Sequence, residues 1–214
     1  MRNSRETDRR RWFEITAVLV TGLMKYVLMD WLNLRMFYIA TACIFWSVYI
    51  YKRYRDNKLI LRHWGFRKFH FKEAFIFLSP FAFLMIAAII WYGRSYNTIF
   101  FSWHIIPIIV FYPVWGIIQQ FLIVALVAGN LRVIKSVNLS KSQIFLMTSM
   151  VFAWVHYPSL PLMIFAFFME LVFLIAYFKW KNLWPLGLYH GLVSSMLLFF
   201  ALGRDLWNEL WAVF

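Results

Sequence analysis

The stretch YPVWGIIQQFLIVALVAGN, from Tyr112 to Asn130, is apolar almost throughout, yet Gln119 and Gln120 stand side by side within it. A helix of about 20 apolar residues crosses the hydrocarbon layer of a bilayer, so the stretch predicts a transmembrane helix. A side-chain amide moved into hydrocarbon costs several kcal/mol unless it finds a hydrogen-bond partner. Two adjacent amides in such a helix therefore indicate a polar site inside the membrane.

The composition of the whole chain agrees with a membrane location. Its 214 residues are 63% hydrophobic and 14% charged, whereas soluble domains are about half apolar and about a quarter charged. We therefore predict an all-α, polytopic transmembrane helical bundle. The single cysteine, Cys43, excludes an internal disulfide. No cleavable signal peptide is expected, because the first apolar segment lacks a small-residue cleavage site.

Seven apolar segments predict about seven membrane spans. They are Ile15–Met29, Phe37–Tyr51, Ala74–Tyr92, Ile99–Ala128, Ile144–Tyr157, Leu162–Phe178 and Pro185–Leu202. The fifth is short and is followed by Pro158, so we expect it to enter the bilayer only part of the way. The C-terminal tail RDLWNELWAVF is too short to span, and its two tryptophans favour a helix at the membrane interface.

The basic residues predict the orientation of the chain. When the seven segments are threaded alternately through a bilayer, 18 of the 22 Lys and Arg residues fall on one side. Basic residues favour the cytoplasmic side, which places the N-terminus in the cytoplasm. The expected location is the bacterial inner membrane. The loop Lys52–Lys72 should lie on the membrane surface, and the net charge of +13 suits anionic lipids at the basic loops rather than nucleic acid.

Few polar side chains lie deep in the predicted spans, where such residues are rare and usually functional. They are Gln119, Gln120, His156, Glu170 and His190, with Ser194 and Ser195 nearby and His104 close to the outer end of its segment. In two pairs, Phe152 with His156 and His190 with Ser194, the residues are spaced i and i+4 and share a helix face.

Each pair also has a structural interpretation. His156 could be satisfied by the carbonyl of a neighbouring helix. Gly187 and Gly191 flank His190 at a spacing that lets a second helix approach closely. His190 could therefore serve only as a polar tie in a packing seam.

Taken together, the motifs FAWVH (152–156) and HGLVS (190–194) resemble those of the CPBP family, the CAAX prenyl endopeptidase and bacteriocin-processing intramembrane proteases of glutamic type. That family carries Glu-Glu followed after three residues by Arg, then Phe-x-x-x-His, then His-x-x-x-Asn or a similar polar residue. Here Ser194 stands at the Asn position. The resemblance covers about residues 116–202. It predicts a peptidase-like core at 99–214, while hydropathy alone predicts three spans and a basic cytoplasmic loop at 1–98.

The chain departs from the family at the first motif, where Gln119 and Gln120 replace the glutamates and Val124 replaces the arginine. The resemblance implies that a glutamate and a histidine activate water, while the second histidine and its polar partner stabilise the oxyanion. A glutamine amide cannot act as a general base. The glutamines would instead position water or substrate. We expect Gln119 to face the site and Gln120 to tie a neighbouring helix, because adjacent helical residues point about 100° apart.

Three outcomes stay open at this stage. His156 or His190 takes over as the base, Glu170 supplies the missing carboxylate, or the protein binds membrane peptides without cutting them. Phe152, like Glu170, is expected to be a supporting residue of the site. In the first two, the chain is an intramembrane endopeptidase that cleaves a membrane-embedded or membrane-proximal peptide. In the third, it is a pseudoprotease that binds or chaperones such peptides.

No cofactor is expected. Zinc normally requires three or four ligands. His104, His156 and His190 could supply three only if they converged, and His104 is too far along its helix to converge easily with Gln119. A transporter is disfavoured because the buried polar residues cluster in one half of the chain. The expected partners are therefore a membrane-embedded peptide or protein substrate and anionic lipids, with no nucleic acid.

Overall fold

The computed structural model describes residues 2–99 and 101–211, with side chains for residues 7–99 and 101–209. All regular elements in these residues are helical, which confirms the predicted all-α bundle. The α-helices are α1 (Arg2–Lys25), α2 (Arg35–Asp56), α3 (Ile60–Trp64), α4 (Phe71–Ser95), α5 (Ile105–Gln120), α6 (Gly129–Val133), α7 (Lys141–Trp154), α8 (Leu160–Trp180), α9 (Trp184–Met196) and α10 (Leu206–Trp211). Three π-helical segments accompany them, at Tyr26–Trp31, Phe121–Ala128 and Leu197–Ala201.

Five helices in the described part of the chain are long and apolar enough to cross a membrane. They are Thr7–Trp31, Phe71–Ser95, Ile105–Val133, Leu160–Trp180 and Trp184–Ala201. Each coincides with one of the seven predicted segments, so the polytopic character of the chain is confirmed.

The other two predicted segments form helices that are less well suited to crossing. In α2, the apolar stretch between Arg35 and Lys52 has 16 residues, which rise about 24 Å at ~1.5 Å per residue. Helix α7 has 14 residues, or about 21 Å. Both fall short of the ~30 Å hydrocarbon layer. The count of seven spans and the cytoplasmic N-terminus therefore stay predictions.

The span that carries the paired glutamines changes its hydrogen-bonding pattern immediately after them. It is α-helical up to Gln120 and π-helical over Phe121–Ala128. The π pattern, with bonds from i to i+5, is rare and often occurs at functional sites. The glutamines thus lie at a local irregularity of the backbone.

The chain divides into two compact units. Unit 1 comprises residues 1–66 and 121–175, and unit 2 comprises residues 67–120 and 176–214. Each unit draws on both sides of the boundary at residue 98 that the motifs predicted. The motifs predicted that boundary as the start of the peptidase-like core, and it stays a prediction.

In unit 1, helix α1 packs against the π-helical segment Phe121–Ala128 and α6, and α7 packs against the same segment. Helix α3 lies within the basic loop that the sequence predicted to be a membrane-surface segment. Ile60 and Trp64 of this helix are buried, and the Trp64 ring packs edge-on against Phe121, 5.0 Å between centroids. Ile60 and Trp64 therefore belong to the protein interior, whereas Leu59 and Phe69 of the same loop are exposed.

Candidate active site

In unit 2, helices α5 and α9 approach so closely that glycine is required where they touch. A Cβ atom added at Gly116 would lie 2.5 Å from the carbonyl oxygen of Gly187, and one added at Gly191 would lie 2.3 Å from Cα of Pro113. Real Cβ atoms do not come this close to backbone atoms. The predicted close approach at Gly187 and Gly191 is thus observed, with Gly116 as the matching position on α5.

This contact brings Gln120 of α5 onto His190 of α9. The Gln120 amide nitrogen lies 3.0 Å from Nδ1 of the His190 ring. Gln120 is 0% exposed and His190 is 2% exposed, so water does not compete for this hydrogen bond. The pair joins the first and third motifs at a separation of 70 residues along the chain.

Gln120 thus bonds to a neighbouring helix, as expected, whereas the expectation that Gln119 faces the site stays a prediction. Gly116 faces α9, and a residue four positions further along a helix lies on the same face, which is the position of Gln120. Gln119 is rotated about 100° away and is half-buried. It does not make the hydrogen bond to His190.

The Gln120 contact determines where the His190 ring carries its proton. An amide nitrogen donates hydrogen bonds and does not accept them, so Nδ1 accepts through its lone pair. In the neutral ring, the proton is then on Nε2, which becomes a hydrogen-bond donor. A donor is the group that a developing oxyanion needs.

Two serines follow His190 on α9. Ser194 lies one turn further along, on the same face, and is buried. Ser195 is also buried, and its hydroxyl donates to the carbonyl of Leu192 at 2.9 Å within the same helix. Of the two hydroxyls, Ser194 therefore matches the polar position of the third motif.

The second motif lies in unit 1, at the end of α7. The Nδ1 atom of His156 lies 2.9 Å from the carbonyl oxygen of Phe152, and the Phe152 ring is edge-on to the imidazole, 5.0 Å between centroids. The partner of this nitrogen is thus a carbonyl of its own helix, and not of a neighbouring helix as the structural interpretation had it. A carbonyl only accepts, so Nδ1 carries the proton and Nε2 carries the lone pair of a potential base.

Glu170 is fully buried in the part of α8 that belongs to unit 1. Its proposed part as a substitute carboxylate stays a prediction. His104, considered as a third zinc ligand, instead binds Asp205 of unit 2, with 2.6 Å between Nδ1 and Oδ2. Burial acts to raise the pKa of Asp205, but the bonds from His104 and from backbone N–H groups outweigh it and lower the pKa below the ordinary 3.8. Among the described residues, no three His, Cys, Asp or Glu side chains could hold a metal ion together.

Glu14 of unit 1 is a buried carboxylate that was not among the residues predicted from the sequence. It accepts hydrogen bonds from the Tyr49 hydroxyl, from Arg53 Nε at 3.3 Å and from the Asn130 amide at 2.6 Å. Glu14 stands one residue before the first predicted span, and Asn130 stands two residues after the fourth. Extending each apolar segment by one helical turn would have revealed both residues.

A protein-family model described as "Type II CAAX prenyl endopeptidase Rce1-like" matches residues 101–196. Over this stretch, the chain is similar to the Rce1-like family. The match spans α5 and α9 and includes all three motif positions, which confirms the resemblance to the CPBP family. The match supports a CAAX-type intramembrane protease function in broad terms. No significant match to a curated protein or to a solved structure was found.

Proposed function

We propose that the chain is an intramembrane endopeptidase that cleaves a membrane-embedded or membrane-proximal peptide bond without a glutamate at its first motif. One observation carries the proposal. The Nδ1 atoms of His156 and His190 have partners of opposite kind, a carbonyl acceptor for the first and an amide donor for the second. Their Nε2 atoms are therefore a base and a donor, respectively.

These two forms match the two roles that a peptidase of this family requires. Nε2 of His156 takes a proton from water as the water oxygen attacks the peptide carbonyl carbon. The Nε2–H of His190, assisted by the Ser194 hydroxyl, donates to the oxygen that becomes negative. When the tetrahedral intermediate collapses, the C–N bond breaks and the His156 imidazolium returns its proton to the leaving amine. Gln119, half-buried, orients water or substrate.

The size of these contributions makes the proposal testable. General-base catalysis contributes typically ~10²–10⁴-fold, and loss of one oxyanion donor typically costs ~10²–10³-fold. An enzyme that uses a histidine instead of a glutamate as its base keeps the stabilisation of the oxyanion in full. Its peptidase activity should therefore be low but measurable.

The test is cleavage of a panel of membrane peptides by the purified protein in proteoliposomes. We expect His156→Ala to lower the rate by about 10²-fold or more. His63→Ala, which removes a histidine outside all three motifs, serves as the matched control and should cleave at the wild-type rate. Cleavage that is equally fast in His156→Ala would remove His156 from the mechanism.

The glutamines themselves favour one other function, a protein that binds or chaperones membrane peptides without cutting them. The substitution Gln119→Glu distinguishes the two. If the wild-type protein is inactive and Gln119→Glu cleaves, the chain is a pseudoprotease that has lost its base. Cleavage by the wild-type protein excludes the non-catalytic function.

A further inference from the structure

We propose that Gln120 is a positioning residue that holds His190 as a neutral hydrogen-bond donor, with its proton on Nε2. The catalytic meaning of this inference rests on the proposed function, but the state of the ring does not. The inference goes beyond the motif resemblance, which gives the residue at position 120 no part in the proton position of His190.

The first step concerns how firmly the pair is held. Gln120 and His190 are both almost completely buried, and they lie at the seam where glycine backbones of α5 and α9 touch. If either helix shifted along the other, the side chains next to the glycines would collide with the opposing backbone. The amide nitrogen therefore stays opposite Nδ1, and burial shields both side chains from bulk water.

The second step compares glutamine with the glutamate of the family pattern. A carboxylate only accepts hydrogen bonds, so a glutamate at position 120 would require a proton on Nδ1. His190 could then donate from Nε2 only as an imidazolium, in a buried ion pair whose desolvation is costly, above all within a membrane. Glutamine supplies the donor from a neutral ring and avoids that cost.

An amide in place of a carboxylate has different consequences at positions 119 and 120. At position 119, an amide in place of a carboxylate removes a potential base. At position 120, the same replacement keeps Nε2 of His190 protonated and excludes this histidine from acting as the base. The alternative in which His190 replaces the missing base is thereby disfavoured, and the base function is left to His156.

The experiment reads the protonation of the ring nitrogens directly. The protein is labelled with ¹⁵N-histidine and studied by NMR in detergent micelles at pH 8, where a ring nitrogen bearing a proton and one bearing a lone pair give well-separated signals. The four other histidines, His63, His70, His104 and His156, are assigned from their own substitutions. His190 is then identified without being replaced.

We expect His190 of the wild-type protein to carry its proton on Nε2 alone. Gln120→Leu, of similar size but without an amide, should give a mixture of both neutral forms. Gln120→Glu should place a proton on Nδ1. Gln119→Leu is the matched control and should leave the His190 signals as in the wild type.

A proton on Nδ1 in the wild-type protein would overturn the inference, because it would mean that the amide oxygen, and not the nitrogen, faces the ring. Wild-type signals in Gln120→Leu would overturn it as well. The measurement needs no substrate. A protein with the expected ring state but no peptidase activity would refute the proposed function and leave this inference standing.

Discussion

Glu14 shows how a single buried charge is accommodated in the first span. Its carboxylate is 2% exposed and is neutralised by Arg53, with Tyr49 and Asn130 supplying further hydrogen bonds. Removing one member of a buried ion pair leaves the other charge without compensation. Glu14 therefore links α1 to α2 and to α6 within unit 1.

At this scale, we predict that Glu14→Ala lowers the free energy of unfolding by about 3–5 kcal/mol, because Arg53 loses its buried counter-charge. Asp30→Ala is the comparison, since Asp30 is 45% exposed in its ion pair with Lys25. Exposed pairs contribute at most about 1 kcal/mol. Reversible unfolding in mixed micelles measures both variants. Equal losses in the two would show that the Glu14 contacts do not stabilise the fold.

At the scale of elements, the contact between α5 and α9 positions the Gln120–His190 pair. The contact is made by backbone against backbone, with Pro113 opposite Gly191 and Gly116 opposite Gly187. In a membrane, helices gain nothing from burying apolar surface against each other, so close packing of small residues supplies the attraction. The helix contact and the proposed oxyanion donor, His190, thus lie on the same turns of α9.

We predict that Gly191→Ala forces α5 and α9 apart, since its Cβ would lie 2.3 Å from Cα of Pro113. Overpacking of this kind costs about 1–3 kcal/mol, and the Gln120–His190 hydrogen bond should be lost with it. Gly22→Ala is the control because its Cβ would make an ordinary 3.5 Å contact with Val155.

In Gly191→Ala, the unfolding temperature should fall and the His190 ring signals should change. In Gly22→Ala, the unfolding temperature should not fall and the ring signals should stay as in the wild type. If Gly191→Ala lowers the stability but leaves the His190 ring signals unchanged, the close packing of α5 and α9 does not determine which ring nitrogen carries the proton.

At the scale of the whole molecule, the open question is how the chain is threaded through the bilayer. Five helices have the length and hydropathy of a membrane span. The Lys and Arg residues, however, fall mainly on one side of the membrane only if seven segments cross it. With the N-terminus in the cytoplasm in both cases, the two arrangements place the loop around Lys58 on opposite sides of the membrane. Eight basic residues between Lys52 and Lys72 favour the cytoplasm for that loop.

We predict that a cysteine at Lys58, in a Cys43→Ser background, is protected from a membrane-impermeant thiol reagent in intact bacterial cells. Ser95→Cys, at the other end of α4, should be labelled under the same conditions. Both positions are exposed on the protein surface, so differences in labelling report the side of the membrane. The reverse pattern would support five spans and place the basic loop outside.

The helical membrane fold could be predicted from the sequence because it depends on properties that are read locally. Apolar stretches of sufficient length partition into the bilayer, and the backbone must then satisfy its own hydrogen bonds within each helix. The i and i+4 spacing of Phe152 and His156, and the small residues at Gly187 and Gly191, likewise belong to one helix each. These features needed no knowledge of what lies opposite them.

Only the tertiary structure decided which glutamine meets His190. The two residues are 70 positions apart, and the rotation of α5 that selects Gln120 follows from where its backbone touches α9. The partners of Glu14 were decided in the same way, because Tyr49 and Asn130 lie 35 and 116 positions away from it. A sequence states which side chains can donate or accept, whereas packing determines which of them come within hydrogen-bonding distance.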